Sequence, residues 1–538
     1  MNFINTGEGY SLFQYEARKK TYVDKSLLID TVYRYSQEIN RYLCVTRPRR
    51  FGKSVAANMI AAFFDEKSAD QSRQLFEKMD IGSLKTSQLD EWDETENISL
   101  CWPQQGTHKV IRINIINLLT PEIDSYEDFY QELKKRLFED LRLLYPGILS
   151  DDTGSVSWAL QMTGDSFIFV IDEWDAILEM PFMREEDKKQ YILFLKSLLK
   201  DQSYVQLAYM TGILPIAKYS SGSSLNMFDE FSAFQDEILF PYFGLTKQEV
   251  LNLMKTKGFQ KPNIEELILW YDGYVRNSDG ECIFNPASVS KALASGACRN
   301  YWTGTGPMNE VKDLISYNVK DLRQDIIRMV GGESIEIELS GFSAEKEKIS
   351  TKNEILSAMV VYGFLTYYNG QLRIPNHELM LKFREALSSE NLGLKQTLED
   401  SADLLDATLN GRDEDIARMI EDLHDEKIPF FQYNDENSLA CVIVMGYLSA
   451  LNSYTITREE KAGKGYVDFL FTPFRKSDTA IILELKYNHS AQDAIKCILE
   501  KQYTKRLKDY PSILLVGINY SEATKKHTCL TEWFRRYN

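Results

Sequence analysis

The stretch "RYLCVTRPRRFGKSVAANMIAAFF" (41–64) constrains the fold of this chain more than any other. A short apolar run, Arg41–Thr46, reads as a strand, and an alanine-rich run from Lys53 reads as a helix. A loop that leaves a buried strand and opens a helix aims backbone N–H groups at whatever lies in front of it. Gly52 lets the backbone approach a phosphate, Lys53 supplies a flexible cation, and Ser54 offers a hydroxyl for Mg²⁺. The general pattern Gly-x-x-x-x-Gly-Lys-Ser is met only in its second half, because Arg47 stands where the first glycine belongs. Pro48, with its fixed φ, is expected to make the turn instead. A chance Gly-Lys-Ser after a strand would look the same.

A second motif decides between them. In "FIFVIDEWD" an unbroken apolar strand ends at Asp172, where a carboxylate can hold Mg²⁺ through water, and Glu173 follows, placed to polarise an attacking water. Taken alone, two acids after an apolar run describe any strand that ends at a surface. The runs "KVIRINIIN" (109–117) and "YVQLAYMTGI" (204–213) add two strands, and the latter brings a polar residue, Thr211, to its end. Strands separated by helical stretches predict a parallel sheet covered on both faces. The order fits nucleoside triphosphatases that carry an extra strand between their two phosphate-site motifs.

A chain of 538 residues is too long for one core. Texture divides it into an α/β unit at 1–244, a helical unit at 245–426, and a second α/β unit at 427–538. In the helical unit, "GFLTYYNGQLRIPN" predicts a hairpin turning at Asn369-Gly370, between two helices. Winged helices share that order with other helical lids. The acidic stretch 395–426 reads as solvent-facing helix.

The formal charge is −17, from 62 Lys+Arg against 79 Asp+Glu, which excludes a chain coated in nonspecific nucleic-acid contacts. From Lys427 onward the balance reverses to 16 basic against 12 acidic residues, so nucleic acid is expected there first. The seven scattered cysteines, without a C-x-x-C pair, fit reduced thiols. With no signal-peptide pattern and no apolar run near the ~18 residues of a membrane span, a cytoplasmic location without membrane contact is expected.

In the third unit, "AIILELKY" puts Glu484 and Lys486 on one face of a strand and Leu483 and Leu485 on the other. Asp468 interrupts the preceding apolar strand "GYVDFLF". An acid followed by Glu-x-Lys on the adjacent strand suits metal-dependent phosphodiester cleavage: Asp468 and Glu484 bind Mg²⁺, and Lys486 orients water and offsets phosphate charge. Glu436 opens the preceding helix, either as a further ligand or as a helix-dipole partner. Gln502, in the following helix, is a supporting candidate. Surface strands produce Glu-Leu-Lys often, so the weight rests on Asp468, the element order and the local positive charge.

Together, "YVDKSLLID", "RPRRFGKS", "FVIDEWD", "MTGILPIAK", "WYDGY" and "NPASV" resemble the predicted AAA-ATPase-like family, over about residues 3–300. In that family the arginine-rich loop is the usual phosphate motif, so Arg47 departs from the general pattern and not from the family's. The resemblance implies ATP as the nucleotide, held by Arg49, Arg50, Phe51, Gly52, Lys53, Ser54, Asp172 and Thr211, with Mg²⁺ at Ser54 and Asp172 and Glu173 as the catalytic base. Arg49 and Arg50 have two readings of equal weight, phosphate contact or a brace for the acidic neighbouring unit. The last unit resembles the PD-(D/E)XK nuclease superfamily, although Gly465-Tyr466-Val467 replaces the glycine-arginine often found before the first acid. The function expected is an ATPase coupled to a metal-dependent nuclease acting on nucleic acid, DNA before RNA. The alternative is a signalling switch whose last unit binds nucleic acid or a partner without cutting. A homo-oligomer is left open.

Overall fold

Strands β1 (Tyr42–Thr46), β2 (Lys109–Asn114), β3 (Phe167–Asp172), β4 (Val205–Gly212) and β5 (Asp229–Phe231) form one parallel sheet in the order β2-β3-β4-β1-β5. This computed structural model describes residues 1–85, 101–147, 154–216, 225–232, 236–276, 279–302, 314–315, 321–338, 351–387, 395–426, 436–462 and 465–534. Every residue of β1 and β3 is buried, which is why both read as unbroken apolar runs. β4 inserts between β1 and β3, so Thr211 lies level with both Val45 and Asp172. That is the extra-strand order the motifs imply. The three-residue β5 carries no sequence signal of its own and was not expected.

The end of β1 is fixed by Arg47. Its side chain, only 2% exposed, turns away from the loop and pairs with Asp236. It also donates to the carbonyls of Thr46 (2.9 Å) and Phe231 (2.7 Å), and its guanidinium lies 5.0 Å from the Phe243 ring. The turn itself differs from expectation. Arg50, at φ 72°, takes the left-handed conformation, and Pro48 packs against Gly363 instead of shaping the bend alone.

Two small antiparallel sheets follow. One comprises β6 (Leu245–Thr246), β7 (Tyr274–Val275) and β8 (Cys282–Phe284); the other comprises β9 (Ile335–Glu336), β10 (Thr366–Tyr368) and β11 (Gln371–Arg373). The β10–β11 hairpin turns at Asn369 and Gly370, both at positive φ, as Asn-Gly predicts. Helices Lys352–Val361 and His377–Leu387 flank it, and β9 pairs with β11, giving the β10-β11-β9 order that a winged helix uses.

The last sheet holds β12 (Tyr454–Ala462), β13 (Gly465–Pro473), β14 (Ala480–Tyr487), β15 (Ile513–Ser521) and β16 (Lys526–Trp533), side by side in chain order. β14 and β15 run parallel, joined through helix Ala491–Glu500, which lies on one face. That helix is shorter than expected: Gln502 lies beyond it, left-handed at φ 59°, before a 3₁₀ turn over Tyr503–Leu507. On the other face sit the acidic helices Lys395–Leu409 and Asp413–Glu426. Their solvent-facing reading holds for one side only, because Leu404, Ile416, Ile420 and Leu423 are buried in one cluster with Val516 and Ile518. Asp413 and Glu421 accept from the amides of Thr531 and His527 on β16, each at 3.1 Å. The acids that suggested exposure therefore cap a sheet edge. No helix among the described residues is long and apolar enough to cross a membrane.

Two stability predictions follow from buried charge. Arg47→Gly, which restores the general motif, leaves Asp236 buried without its partner and costs about 3–5 kcal/mol in urea unfolding; a variant as stable as wild type contradicts the structural role. The second concerns His527, whose imidazole burial pushes down to about 3, with His424 at 3.2 Å adding to the effect. A depressed histidine contributes stability above its unfolded pKa of about 6.5 and loses it as pH falls toward the folded value. Relative to His527→Gln, wild type should lose about 1.4 kcal/mol per pH unit below that point, read from unfolding midpoints between pH 7 and 5.

Candidate functional site

Helix Lys53–Phe64 begins at Gly52, whose φ of 89° suits glycine, although a side chain there would meet open space. The requirement is conformational. In front of the helix start lies a cavity of about 740 Å³, lined by Arg49–Ser54, Glu173, Tyr22, Tyr242 and, from the middle region, Lys382. That volume lies within the roughly 300–1,000 Å³ usual for small-ligand sites.

Lys53 is buried and donates to the Pro48 carbonyl at 3.2 Å. Burial pushes its ammonium below the usual range, while Glu173, Asp175 and Asp172 pull the other way. Asp172 is fully buried at the end of β3. Its Oδ2 accepts from Asn114 at 3.1 Å, and its Oδ1 has no hydrogen-bond partner among the described residues. Burial, with the adjacent Glu173 charge, pushes it up to about 6; Ser54, Lys53 and Arg112 pull it back. The Thr211 hydroxyl, level with Asp172, is likewise buried without a partner. Glu173 reaches the cavity from left-handed backbone, φ 54°, a conformation that costs a non-glycine residue about 1 kcal/mol or more. The structure thus brings Lys53, Ser54, Asp172, Glu173 and Thr211 to one end of the sheet.

The two open arginines divide. Arg50 donates to the Tyr301 carbonyl at 2.5 Å, in the middle region, and burial lowers its pKa. Arg49 lies 3.9 Å from Glu179. Both also line the cavity. Phe51 turns away from the strands and meets the Tyr274 ring edge-on at 4.8 Å.

Asp175 was not singled out by sequence reasoning. Its Oδ2 accepts from the amides of Ile213 and Leu214 at 2.9 and 2.7 Å, tying the exit of β4 to the acidic motif. Burial pushes it up to about 6 despite those bonds. The available signal was a third acid in "DEWD", set against Gly212, where a Cβ would come within 2.5 Å of Asp175 Oδ1.

On the last sheet, β13 and β14 pair at Phe469↔Leu483, so one residue further Asp468 stands opposite Glu484. Asp468 Oδ2 accepts from the Leu485 amide at 2.7 Å. Glu484 is 3% exposed; its Oε1 meets Lys486 Nζ and Cys497 Sγ, each at 3.0 Å, and its Oε2 is buried without a partner. Partial burial opposes the Lys486 charge, but Glu484 outweighs it and holds the ammonium above its usual range. Burial and Glu484 together push the Cys497 thiol up. Asp468, Glu484 and Lys486 therefore share one patch. Cys497 is an unexpected neighbour, on the helix turn facing β14.

Two candidates do not join it: the Glu436 side chain falls outside the described residues, and Gln502 stands beyond the helix in a left-handed conformation. Tyr466 is 63% exposed, and its carbonyl accepts from the Tyr503 hydroxyl. No group of three or more His, Cys, Asp or Glu arranged for a metal occurs among the described residues. A Mg²⁺ site needs fewer, since that ion is often held by one or two carboxylates plus substrate phosphates and water. The unpartnered Glu484 Oε2 and Asp172 Oδ1 fit such a role.

Residues 11–221 match the family described as Predicted AAA-ATPase, and residues 434–528 match the PD-(D/E)XK nuclease superfamily. An uncharacterized protein from the vnfD 5′ region of Azotobacter chroococcum is 24% identical over 365 residues, which are 64% of this chain; the match spans 62% of that relative's length. Among solved structures, the Walker-type ATPase PABY2304 of Pyrococcus abyssi aligns with 13% identity and a TM-score of 0.32, over 66% of this chain and 94% of that one. The Aeropyrum pernix ORC2 protein, in its ADPNP–ADP complexes, aligns with 10% identity and a TM-score of 0.32, over 69% and 98%. The chain joins an AAA-ATPase-like segment to a C-terminal segment of the PD-(D/E)XK nuclease superfamily.

Proposed function

We propose that the chain binds and hydrolyses ATP at the β1–β3–β4 end of its first sheet and cleaves nucleic acid, DNA first, at Asp468, Glu484 and Lys486. One observation carries the reading. At both places a strand delivers a carboxylate with one buried oxygen that has no partner among the described residues, beside a lysine: Asp172 near Lys53, and Glu484 with Lys486. A buried oxygen without a partner costs about 1–3 kcal/mol, and a bound cation removes that cost. Mg²⁺ at Ser54 and Asp172, and at Asp468 and Glu484, would offset charge on phosphate oxygens.

The residues of the chain do the rest. Lys53 counters charge on the β/γ-phosphates, and the amides that open its helix hold phosphate oxygens. Glu173 accepts a proton from the attacking water, and Thr211 orients it. At the second patch Lys486 positions water and neutralises the scissile phosphate. The proposed division is 1–244 for ATP, 245–426 as the joining unit and 427–538 for nucleic acid, with the 395–426 helices leaning on the last sheet.

The alternative is a switch whose last unit binds without cutting. It is favoured by the double engagement of Glu484 Oε1 by Lys486 and Cys497, and of Asp468 Oδ2 by a backbone amide. A cleavage assay on labelled DNA and RNA, with and without Mg²⁺ and ATP, separates the two.

At the first site, Lys53→Ala should lose ATP binding, whereas Glu173→Gln should bind ATP and hydrolyse it at least ~100-fold more slowly; equal turnover in Glu173→Gln moves the base elsewhere. At the second, Asp468→Asn should reduce Mg²⁺-dependent cleavage at least ~100-fold while the folded chain still binds ATP. Cleavage that survives the change, or withdrawal of metal by chelator, refutes the assignment.

A further inference from the structure

We infer that the contact of Phe51 with Tyr274 couples the nucleotide state of the phosphate-facing loop to the strand that carries Glu484 and Lys486. The inference rests on the reading of both sites given above. Phe51 is 2% exposed, and it packs into the core of the middle region, not that of its own sheet. That core is continuous. One cluster takes in Phe51, Tyr274, Trp302, Phe364 and Met359 together with Leu483 and Leu485 on β14. Leu483 and Leu485 alternate with Glu484 and Lys486, so a shift of β14 on its apolar face moves the carboxylate and ammonium on the other.

The two junctions differ in fit. At the loop, Arg50 holds the Tyr301 carbonyl, the Tyr274 hydroxyl donates to the Gly363 carbonyl at 3.2 Å, and Pro48 fills the space a Gly363 side chain would need. Beneath these contacts lies a void of about 40 Å³, bordered by Arg47, Phe51, Phe240, Tyr274, Val360 and Leu365. The loop therefore has room to move against its grip. At the far junction the fit is close. Arg458 of β12 pairs with Glu333, which also pairs with Arg328, and a Cβ on Gly332 would stand 2.4 Å from the Ile456 carbonyl oxygen. Close-packed interiors transmit displacement more readily than they absorb it. Motion admitted at the loop is carried as a tilt of the middle core to the last sheet, where β12 pairs with β13 and β13 with β14.

Hydrogen exchange on the full chain tests this, with ATP binding measured separately by titration. Saturating Mg-ATP should slow exchange of the Ile481–Lys486 amides at least about fivefold, the lower end of common coupling factors. Tyr274→Ala should still bind ATP yet lose most of that protection; Tyr274→Leu, which keeps apolar volume without the ring edge, replaces it if the alanine variant does not fold. Bound ATP with unchanged exchange at 481–486 overturns the coupling. Undiminished protection in the Tyr274 variants overturns the route through this contact. Absence of ATP binding by wild type instead overturns the nucleotide reading beneath it.

Discussion

Arg47 and Asp236 place opposite charges beneath the loop that ends β1, where water does not reach either one. Taking both from solvent is costly, and the attraction repays the cost only if the remaining donors are used. Here the guanidinium gives two hydrogen bonds to the carbonyls of Thr46 and Phe231, which binds the central strand to the edge strand β5, while its Nε has no partner among the described residues. A planar, forked cation can serve three acceptors at once, and a lysine cannot match that geometry. The loop that follows is thereby held from below by its own sheet, and Phe51 and Arg50 hold it from the side.

The two candidate sites share a design although their sheets differ. In each, an apolar strand carries a carboxylate out of reach of water, at its last residue in β3 and in mid-strand in β14. Asp172 and Glu484 each keep one oxygen without a partner among the described residues. Neighbouring contacts supply the second oxygen: Asn114 for Asp172, Lys486 and Cys497 for Glu484. Local stability is given up at these carboxylates, and the surrounding core holds them in position. The left-handed backbone at Glu173 is the same exchange made in φ and ψ.

Much of this was legible in the sequence, because buried parallel strands and helix starts leave strong local marks. "FIFVI" could hardly be anything but a central strand, and the Lys53–Phe64 helix follows from its alanines and its opening glycine. The alternation in "AIILELKY" placed Glu484 and Lys486 on one face, and Leu483 and Leu485 in the core on the other. The roles of Arg47, Arg50 and Phe51 were not legible, since their partners Asp236, Tyr301 and Tyr274 lie far along the chain and nothing local selects them. β5 is too short for periodicity to register, and β16, "KHTCLTEW", is only partly apolar because it lies at an edge. The acidic helices misled for a different reason: their eleven acidic residues report the wet side, whereas Ile416, Ile420 and Leu423, one helical turn apart, mark the buried one.

The place of β1 in the first sheet has a consequence for how the chain is made. The strand that leaves the ribosome first lies between β4 and β5, which leave last. A buried segment ending at Thr46 must therefore wait with one edge open until Gly212 and the other until Phe231 has been synthesised, roughly ten to forty seconds at ordinary elongation rates. During that interval it offers the kind of open strand that aggregates, so the nascent chain depends on shielding by its own early helices or by chaperones until the last strand arrives.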